Sequence, residues 1–131
     1  MTLVFTNGCF DCLHHAHVAF LQDARALGDR LVVGLNSDDS VRRLKGPSRP
    51  IFDVEARKLM LEAIRWVDEV VVFDTEEDLS NLVKELTPAV LVKGKEYEGR
   101  RVTGAEHARS VRFLPRRYEW STTQTLERIR Q

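Results

Sequence analysis

Short apolar runs alternate along this chain with longer segments of helical periodicity. The apolar runs predict strands at residues 3–6, 31–35, 69–73, 89–92 and 111–114. After the first run, Ala16, Phe20 and Ala24 recur at helical spacing, and Gly28 is placed to end that helix. Because strands that alternate with helices are typical of parallel sheets, we predict one doubly wound α/β domain over residues 1–131, with a five-stranded, mainly parallel sheet and helices on both faces.

Residues that cap helices predict where the remaining helices begin. We expect helix starts near 36–38, Asp53, Asp78 and 121–122. In the helix after Asp53, the apolar positions Leu59, Ile64 and Val67 lead into the third predicted strand. Segment 45–50 contains one glycine and two prolines and is expected to be a loop. Ligands of a doubly wound sheet bind beyond the carboxyl ends of its strands, so we expect a site in the loops at that edge.

The composition is that of a globular protein and excludes several classes. Of 131 residues, 43% are hydrophobic and 31% are charged, and the formal net charge is zero. These values argue against disordered chains and against proteins that coat nucleic acid or anionic membranes. Residues 99–131 nevertheless hold eight Arg against three Glu, which suggests an anionic partner for this part of the chain. No apolar run approaches the roughly 20 residues of a membrane span and the start does not resemble a signal peptide, so we expect a cytoplasmic protein.

The densest chemistry lies between Thr6 and His17, directly after the first predicted strand. Gly8 allows a tight turn there. His14 and His17 are three positions apart, so both side chains project from one side of the first helical turn. Free backbone N–H groups and the helix dipole favour an anion at that end of a helix. The two imidazoles therefore predict a phosphate site with two tunable donors.

A metal site is a second interpretation of the same segment. Cys9, Cys12, His14 and His17 are four possible zinc ligands. Zinc fingers with such ligands place roughly a dozen residues between the Cys pair and the His pair, whereas here only Leu13 separates them. The spacing is cramped for a tetrahedron, and Cys12 is interpreted as a small apolar residue that faces the core.

Several motifs follow one another in an order that is typical of one enzyme family. They are Gly8-Cys9-Phe10-Asp11, His14-His15-Ala16-His17, Lys93-Gly94 followed by Tyr97, Leu114-Pro115-Arg116 and Ser121-Thr122-Thr123. On these motifs the chain resembles the cytidylyltransferase-like nucleotidyltransferases, which implies a Rossmann-like fold. Residues 36–50 are most similar to the nucleotidyltransferase domain of ADP-heptose synthases, whereas residues 56–70 are just as similar to glycerol-phosphate cytidylyltransferases. Lys95-Glu96 stands where the heptose enzymes usually have Gly-Asp, so the nucleobase and the acceptor stay open.

The resemblance implies transfer of a nucleoside monophosphate from a nucleoside triphosphate to a phosphorylated sugar or polyol, with release of pyrophosphate. It gives catalytic roles to His14, His17, Lys45 and Arg116. It gives nucleotide-binding roles to Cys9, Phe10, Asp11, Lys93, Gly94, Tyr97, Arg117, Ser121, Thr122 and Thr123, and acceptor-binding roles to Asn36, Asp38 and Arg57. It also implies Mg²⁺ bound mainly through the nucleotide phosphates rather than by a protein cage, a homodimer, and no nucleic-acid or membrane partner.

One motif position departs from the family pattern. Ala16 stands where the family has glycine, and its methyl group lies where the helix backbone closely approaches the nucleotide. We expect retained activity because alanine is the smallest replacement, and a non-catalytic nucleotide-binding module is the alternative. The tryptophans Trp66 and Trp120 are interpreted as core or dimer contacts. The arginines without a motif, Arg100, Arg101, Arg109 and Arg112, are interpreted as a solvated face.

Overall fold

Five strands lie side by side in one parallel sheet in this computed structural model, which describes residues 1–131. The strands are β1 (Leu3–Gly8), β2 (Arg30–Asn36), β3 (Glu69–Phe73), β4 (Val90–Gly94) and β5 (Ser110–Leu114). Their order across the sheet is β3-β2-β1-β4-β5, and every neighbouring pair is parallel. The predicted five-stranded α/β sheet is confirmed, and all of its carboxyl ends meet at one edge.

Five helices connect or follow these strands. They are α1 (His15–Arg25), α2 (Asp38–Lys45), α3 (Val54–Glu62), α4 (Glu76–Leu86) and α5 (Thr122–Arg130), with single 3-10 turns at Lys95–Tyr97 and Ala105–His107. The predicted caps Asp53 and Ser121 each accept a bond from the backbone of their helix. Helix α4 begins two residues before the predicted Asp78, because Thr75 is its cap and Asp78 completes a capping box with it. None of these helices is long and apolar enough to cross a bilayer.

Apolar side chains pack on both faces of the sheet. Val4, Leu21 and Leu61 belong to the cluster that packs α1 and α3 on one face. Phe5 and Leu79 belong to the cluster that packs α4 on the other face. Adjacent residues of β1 thus face opposite clusters, as the alternation of a strand requires. Helix α5 contributes no buried residue to either cluster.

The apolar residues expected in the third helix have different surroundings in the structure. Leu59 is 68% exposed, whereas Leu61 and the charged Arg57 are the buried residues of this helix. The helix ends at Glu62, so Ile64 lies beyond it and packs against the core from the following turn. The inward face of α3 thus carries an arginine, whose burial depends on acceptors elsewhere in the chain.

Candidate functional site

A crevice of about 750 Å³ runs along the carboxyl ends of the strands. It is lined by residues that end β1 through β5, among them Gly8, Asn36, Phe73, Gly94 and Leu114. Of the residues to which a catalytic, nucleotide-binding or acceptor-binding role was given, all line this crevice except Asp38 and Arg57. The fold therefore gathers most of the expected site residues around one cavity.

His14 and His17 form the first turn of α1 together. His14 is the N-cap, and its Nδ1 accepts a hydrogen bond from the backbone N–H of Ala16 at 3.2 Å. The Nδ1 of His17 accepts from the backbone N–H of His14, also at 3.2 Å. The two rings stack with centroids 3.8 Å apart. Because both Nδ1 atoms accept, each neutral ring carries its proton on Nε2.

Both imidazoles are neutral near pH 7. Burial lowers the pKa of His17 to about 3, and the nearby charges of His14 and Lys45 act in the same direction. Burial also lowers the pKa of His14 from its ordinary value. The Nε2 of His14 is buried and has no hydrogen-bond partner. A buried donor without a partner is costly unless a ligand satisfies it, so the pair presents neutral N–H donors to the crevice.

The turn between β1 and α1 is conformationally strained. Phe10 has φ 47° and Cys12 has φ 52°, both in the left-handed region. A Cβ atom on Gly8 would lie 3.0 Å from the Phe10 ring, so glycine allows the ring to fold back onto the strand. Such backbone persists only where the surroundings hold it in place.

Asp11 supplies much of that restraint. Its side chain is buried, its Oδ2 accepts from the backbone N–H of Ile51 at 2.6 Å, and its Oδ1 accepts from that of Phe52 at 3.0 Å. The Thr122 hydroxyl, at the start of α5, donates to the Asp11 carbonyl oxygen at 2.7 Å. Asp11 lines the crevice, but its carboxylate is already engaged by the loop that precedes α3. It joins three segments around the turn between β1 and α1.

Arg57, which is expected to bind the phosphate of the acceptor, is buried and engaged by protein groups. It is 2% exposed, and Nη1 donates to the carbonyl oxygens of Cys9 at 2.9 Å and Asn36 at 2.8 Å. Nε donates to the Phe52 carbonyl oxygen at 2.9 Å, and Nη2 pairs with Asp38 at 2.7 Å. An acceptor phosphate would have to break this buried network. The geometry makes Arg57 and Asp38 positioning residues that connect the ends of β1 and β2 to the loop before α3.

The segment after β5 carries two of the expected phosphate-binding arginines. Arg116 pairs with Glu96 at 3.5 Å, and both side chains are nearly half exposed. Arg117 instead faces α1, where its Nε lies 3.0 Å from Asp23 and its Nη2 donates to Gln22 at 2.7 Å. Arg116 is thus held only by an exposed pair, whereas Arg117 attaches this segment to α1.

Lys93 lies at the end of β4. Its Nζ lies 3.3 Å from the carbonyl oxygen of Asn7 and 4.5 Å from the ring centroid of Tyr97. Burial lowers its pKa, while the charges of Glu96 and Glu76 oppose that shift. Lys93 and Tyr97 therefore form a cation–π pair in the crevice wall.

Several crevice residues were missed or misinterpreted from the sequence. Trp120 lines the crevice and donates to the Thr125 hydroxyl at 2.8 Å, so it is not a plain core residue. Arg101 is exposed, as expected of a solvated face, and it also lines the crevice together with Glu76 and Thr103. These residues belong to no motif. Their place in the crevice depends on how the start of α4 and the loop before β5 pack, which the sequence does not show.

The zinc interpretation finds no support in the geometry. No three His, Cys, Asp or Glu side chains in the chain are arranged to hold a metal ion. Burial raises the pKa of the Cys9 and Cys12 thiols, which disfavours the thiolates that zinc requires. Cys12 belongs to neither core cluster, so the expectation that it faces the core is wrong.

Known proteins place this fold in a family. A family model described as cytidylyltransferase-like matches residues 5–128. The bifunctional protein HldE of Campylobacter fetus subsp. fetus is 49% identical over 129 residues, which are 98% of this chain and 28% of that protein. The same-named protein of Helicobacter pylori strain Shi470 is 46% identical over 129 residues, again 98% of this chain and 28% of that protein. The chain thus spans little more than a quarter of the length of these curated relatives.

Two solved structures share the architecture. The lipopolysaccharide core biosynthesis protein from Thermoplasma volcanium is 29% identical, with a TM-score of 0.71 over 91% of this chain and 99% of that one. Pantothenate synthetase from Thermus thermophilus is 15% identical, with a TM-score of 0.62 over 97% of this chain and 64% of that one, which shows a shared fold alone. Because the family model matches nearly the whole of this chain, the chain belongs to the cytidylyltransferase-like family.

Proposed function

We propose that residues 1–131 act as one nucleotidyltransferase domain that transfers a nucleoside monophosphate to a sugar phosphate, in the manner of an ADP-heptose synthase. The observation that carries this proposal is the stacked pair His14 and His17, whose Nδ1 atoms are engaged and whose Nε2 donors remain for a ligand. Family membership and the HldE relatives support the same reaction class. Adenylyl transfer from ATP is the version that the similarity to HldE favours.

The reaction needs positioning and charge stabilisation rather than an enzyme nucleophile. An oxygen of the acceptor phosphate attacks the α-phosphorus of the triphosphate and forms a new P–O bond. The bond from the α-phosphorus to the oxygen that bridges to the β-phosphate breaks, and its electron pair leaves with pyrophosphate. Negative charge then grows on the phosphoryl oxygens, where fixed donors such as His14 and His17 stabilise it.

Other crevice residues fit the remaining contacts. Lys45, at the end of α2, has its charge close enough to influence both Cys9 and His17, and it forms no ion pair. It would close on the phosphates from the side opposite Arg116. The start of α5, with Ser121, Thr122 and Thr123, lies in the same crevice and would hold the terminal phosphates. Lys93, Gly94 and Tyr97 would face the base, and the backbone at Cys9 and Phe10 would lie along the nucleotide.

We propose that Mg²⁺ enters as part of the nucleotide. The buried carboxylate of Asp11 is engaged by backbone N–H groups, and no cluster of three ligand side chains exists in the chain. The side chains given to the phosphates are histidines, Lys45, Arg116 and hydroxyl groups, so the metal would be held by phosphate oxygens and water. When bound, Mg²⁺ neutralises phosphate charge that these side chains leave uncompensated.

The decisive experiment is a pyrophosphate-release screen of ATP, CTP and GTP against heptose 1-phosphate, other sugar phosphates and glycerol phosphate. We expect ATP with a sugar phosphate to give the highest rate. Turnover of only CTP with glycerol phosphate would support the second candidate, which the similarity of residues 56–70 favours. Triphosphate binding without pyrophosphate release from any pair would instead indicate a binding module, an alternative favoured by Ala16, which lines the crevice.

We further propose a cytoplasmic homodimer. The exposed apolar residues Phe52, Leu59 and Met60 and the absence of buried residues in α5 support a second copy as partner. The unpaired thiols Cys9 and Cys12 support a reducing compartment. Sedimentation velocity at micromolar concentration tests the dimer, and a monomer at all concentrations would contradict it.

A further inference from the structure

Helix α2 ends at Lys45, and its last turn is exposed. The buried residues of this helix are Ser40 and Val41, near its middle, whereas every residue from Arg42 to Lys45 is exposed. Lys45 lines the crevice. The place that its ammonium group takes in the crevice therefore depends on what holds the last turn of α2.

The start of α2 is attached to the rest of the fold by two contacts. Nη2 of Arg57 pairs with Asp38, the first residue of the helix, at 2.7 Å. The backbone N–H of Ser37, the N-cap, donates to the Phe73 carbonyl oxygen at 2.9 Å. These contacts hold the first turn only, and a helix end that nothing holds from outside tends to fray.

Asp74, which directly follows β3, contacts α2 at both of its ends. Its Oδ1 accepts from the Ser37 hydroxyl at 2.6 Å and from Nη2 of Arg43 at 3.0 Å. The same Nη2 donates to the Asp74 carbonyl oxygen at 2.7 Å. Arg43 is the only side chain in the last turn of α2 that bonds outside the helix, since Arg42 pairs with Asp39 within it. Asp74 therefore supplies the external restraint on this turn.

The pair of Asp74 and Arg43 is ionised and lies outside the crevice. Hydrogen bonds from the Ser37 hydroxyl and from Arg43 hold the pKa of the Asp74 carboxyl below its ordinary value. Neither Asp74 nor Arg43 lines the crevice, so neither contacts a molecule bound in it. Any effect of this pair on a reaction in the crevice has to pass through the helix that joins Arg43 to Lys45.

We propose that Asp74 and Arg43 are positioning residues for Lys45. The inference rests on the proposed function, in which Lys45 closes on the phosphates. The pair holds the last turn of α2 against the end of β3 and so keeps the helix intact as far as Lys45, two residues beyond Arg43. Gly46 follows with φ 100° and ends the helix, so no further turn is available to hold the lysine.

The first part of the test measures pyrophosphate release and hydrogen exchange in single variants. Arg43→Ala should lower kcat about 10- to 100-fold, because misplacing a reacting group by about 1 Å can cost that much. Asp74→Ala should lower kcat less, since the carbonyl oxygen of residue 74 still accepts from Arg43. Amides of residues 42–46 should exchange faster in both variants. Arg42→Ala is the matched control, because Arg42 is exposed and pairs only within α2, and it should change neither quantity.

The second part of the test separates positioning from a general structural role. Lys45→Ala removes the group that the pair positions, so Arg43→Ala should cause no further loss of kcat when it is added to Lys45→Ala. Single-turnover measurements with the chain in excess keep these slow variants measurable. An equal further loss in the double variant would overturn the proposal, because the pair would then act on another part of the fold. A kcat in Arg43→Ala that matches Arg42→Ala would overturn it as well.

Failure of the proposed function gives a different result. If the wild-type chain releases no pyrophosphate with any pair of substrates, the nucleotidyltransferase assignment fails. If the wild-type chain turns over and Lys45→Ala keeps the full kcat, only the role of Lys45 fails. The positioning proposal falls in both cases, whereas faster exchange at residues 42–46 in Arg43→Ala would still show that the pair holds the end of α2.

Discussion

The Nδ1 of His17 accepts the backbone N–H of His14 at 3.2 Å, and their rings stack 3.8 Å apart. The two histidines thereby form a capping box, in which each side chain satisfies a backbone donor at the start of α1. The same bonds orient both rings and place the proton of each on Nε2. One local motif thus caps a helix and prepares two donors, so substitutions here should affect both stability and catalysis.

Replacing His17 should change both catalysis and stability, and two measurements can tell these effects apart. We expect His17→Ala to lower kcat about 10²–10³-fold, the usual cost of removing one fixed donor to a developing charge. Loss of the hydrogen bond from the His14 N–H to the His17 side chain should also lower the free energy of unfolding by about 1 kcal/mol. Steady-state pyrophosphate release and urea denaturation measure the two effects. His107→Ala, in the 3-10 turn away from the crevice, is the control, and a His17 variant that matches it in kcat would contradict the assignment.

The pH dependence of stability follows from the buried imidazole. The pKa of His17 falls from an ordinary value of 6.5 to about 3, so between these values the unfolded chain binds the proton and the folded chain does not. The free energy of unfolding should therefore fall as pH drops below 6.5, by up to about 1.4 kcal/mol per pH unit from this group. Denaturation curves recorded from neutral pH down to moderately acidic pH measure this slope. A slope that is the same in His17→Ala would show that other groups account for it.

Arg57 should behave as a positioning residue rather than a phosphate clamp. Arg57→Met removes a buried guanidinium that reaches four protein acceptors and should lower the free energy of unfolding by about 3–5 kcal/mol. Arg57→Lys should recover only part of this, because one ammonium group cannot reach all four acceptors. Arg112→Ala, at an exposed arginine of β5, is the control. Unchanged stability with a raised KM for the acceptor alone would instead restore the role of clamp.

The Asp→Asn substitution can be compared at Asp11 and Asp53, because both carboxylates accept hydrogen bonds from backbone N–H groups. Asp11→Asn leaves a single side-chain acceptor for the two N–H groups of Ile51 and Phe52, so we expect a loss of about 1–3 kcal/mol. Hydrogen exchange at those two amides should accelerate. Asp53 caps α3, where asparagine is an equally good cap, so Asp53→Asn should leave stability nearly unchanged. Similar effects from both variants would contradict this account of Asp11.

Local features of this structure could be predicted from the sequence, whereas long-range ones could not. The caps Asp53 and Ser121 depend on neighbouring residues, and the motifs at Gly8 and Lys93 follow strands whose ends must meet at one edge. Arg57 was misinterpreted because one of its acceptors, the Cys9 carbonyl, lies 48 residues away along the chain. That the exposed Arg101 also lines the crevice could not be predicted, because nothing near it in sequence shows where its loop packs. Motifs indicated the family, and only packing revealed which charges are already engaged.

The pair of Glu96 and Arg116 should reduce affinity for the nucleotide. Arg116 is expected to bind phosphate, yet its Nη2 lies 3.5 Å from the Glu96 carboxylate, so the triphosphate must replace that contact. An exposed pair of this kind contributes about 0.2–1 kcal/mol, so Glu96→Gln should lower the KM for the triphosphate by up to about fivefold while kcat stays unchanged. The difference should shrink at high salt, because exposed charges are screened. Glu98→Gln, at an exposed acidic residue outside the crevice, is the control. A higher KM in Glu96→Gln would mean that the carboxylate contacts the nucleotide directly instead of competing with it.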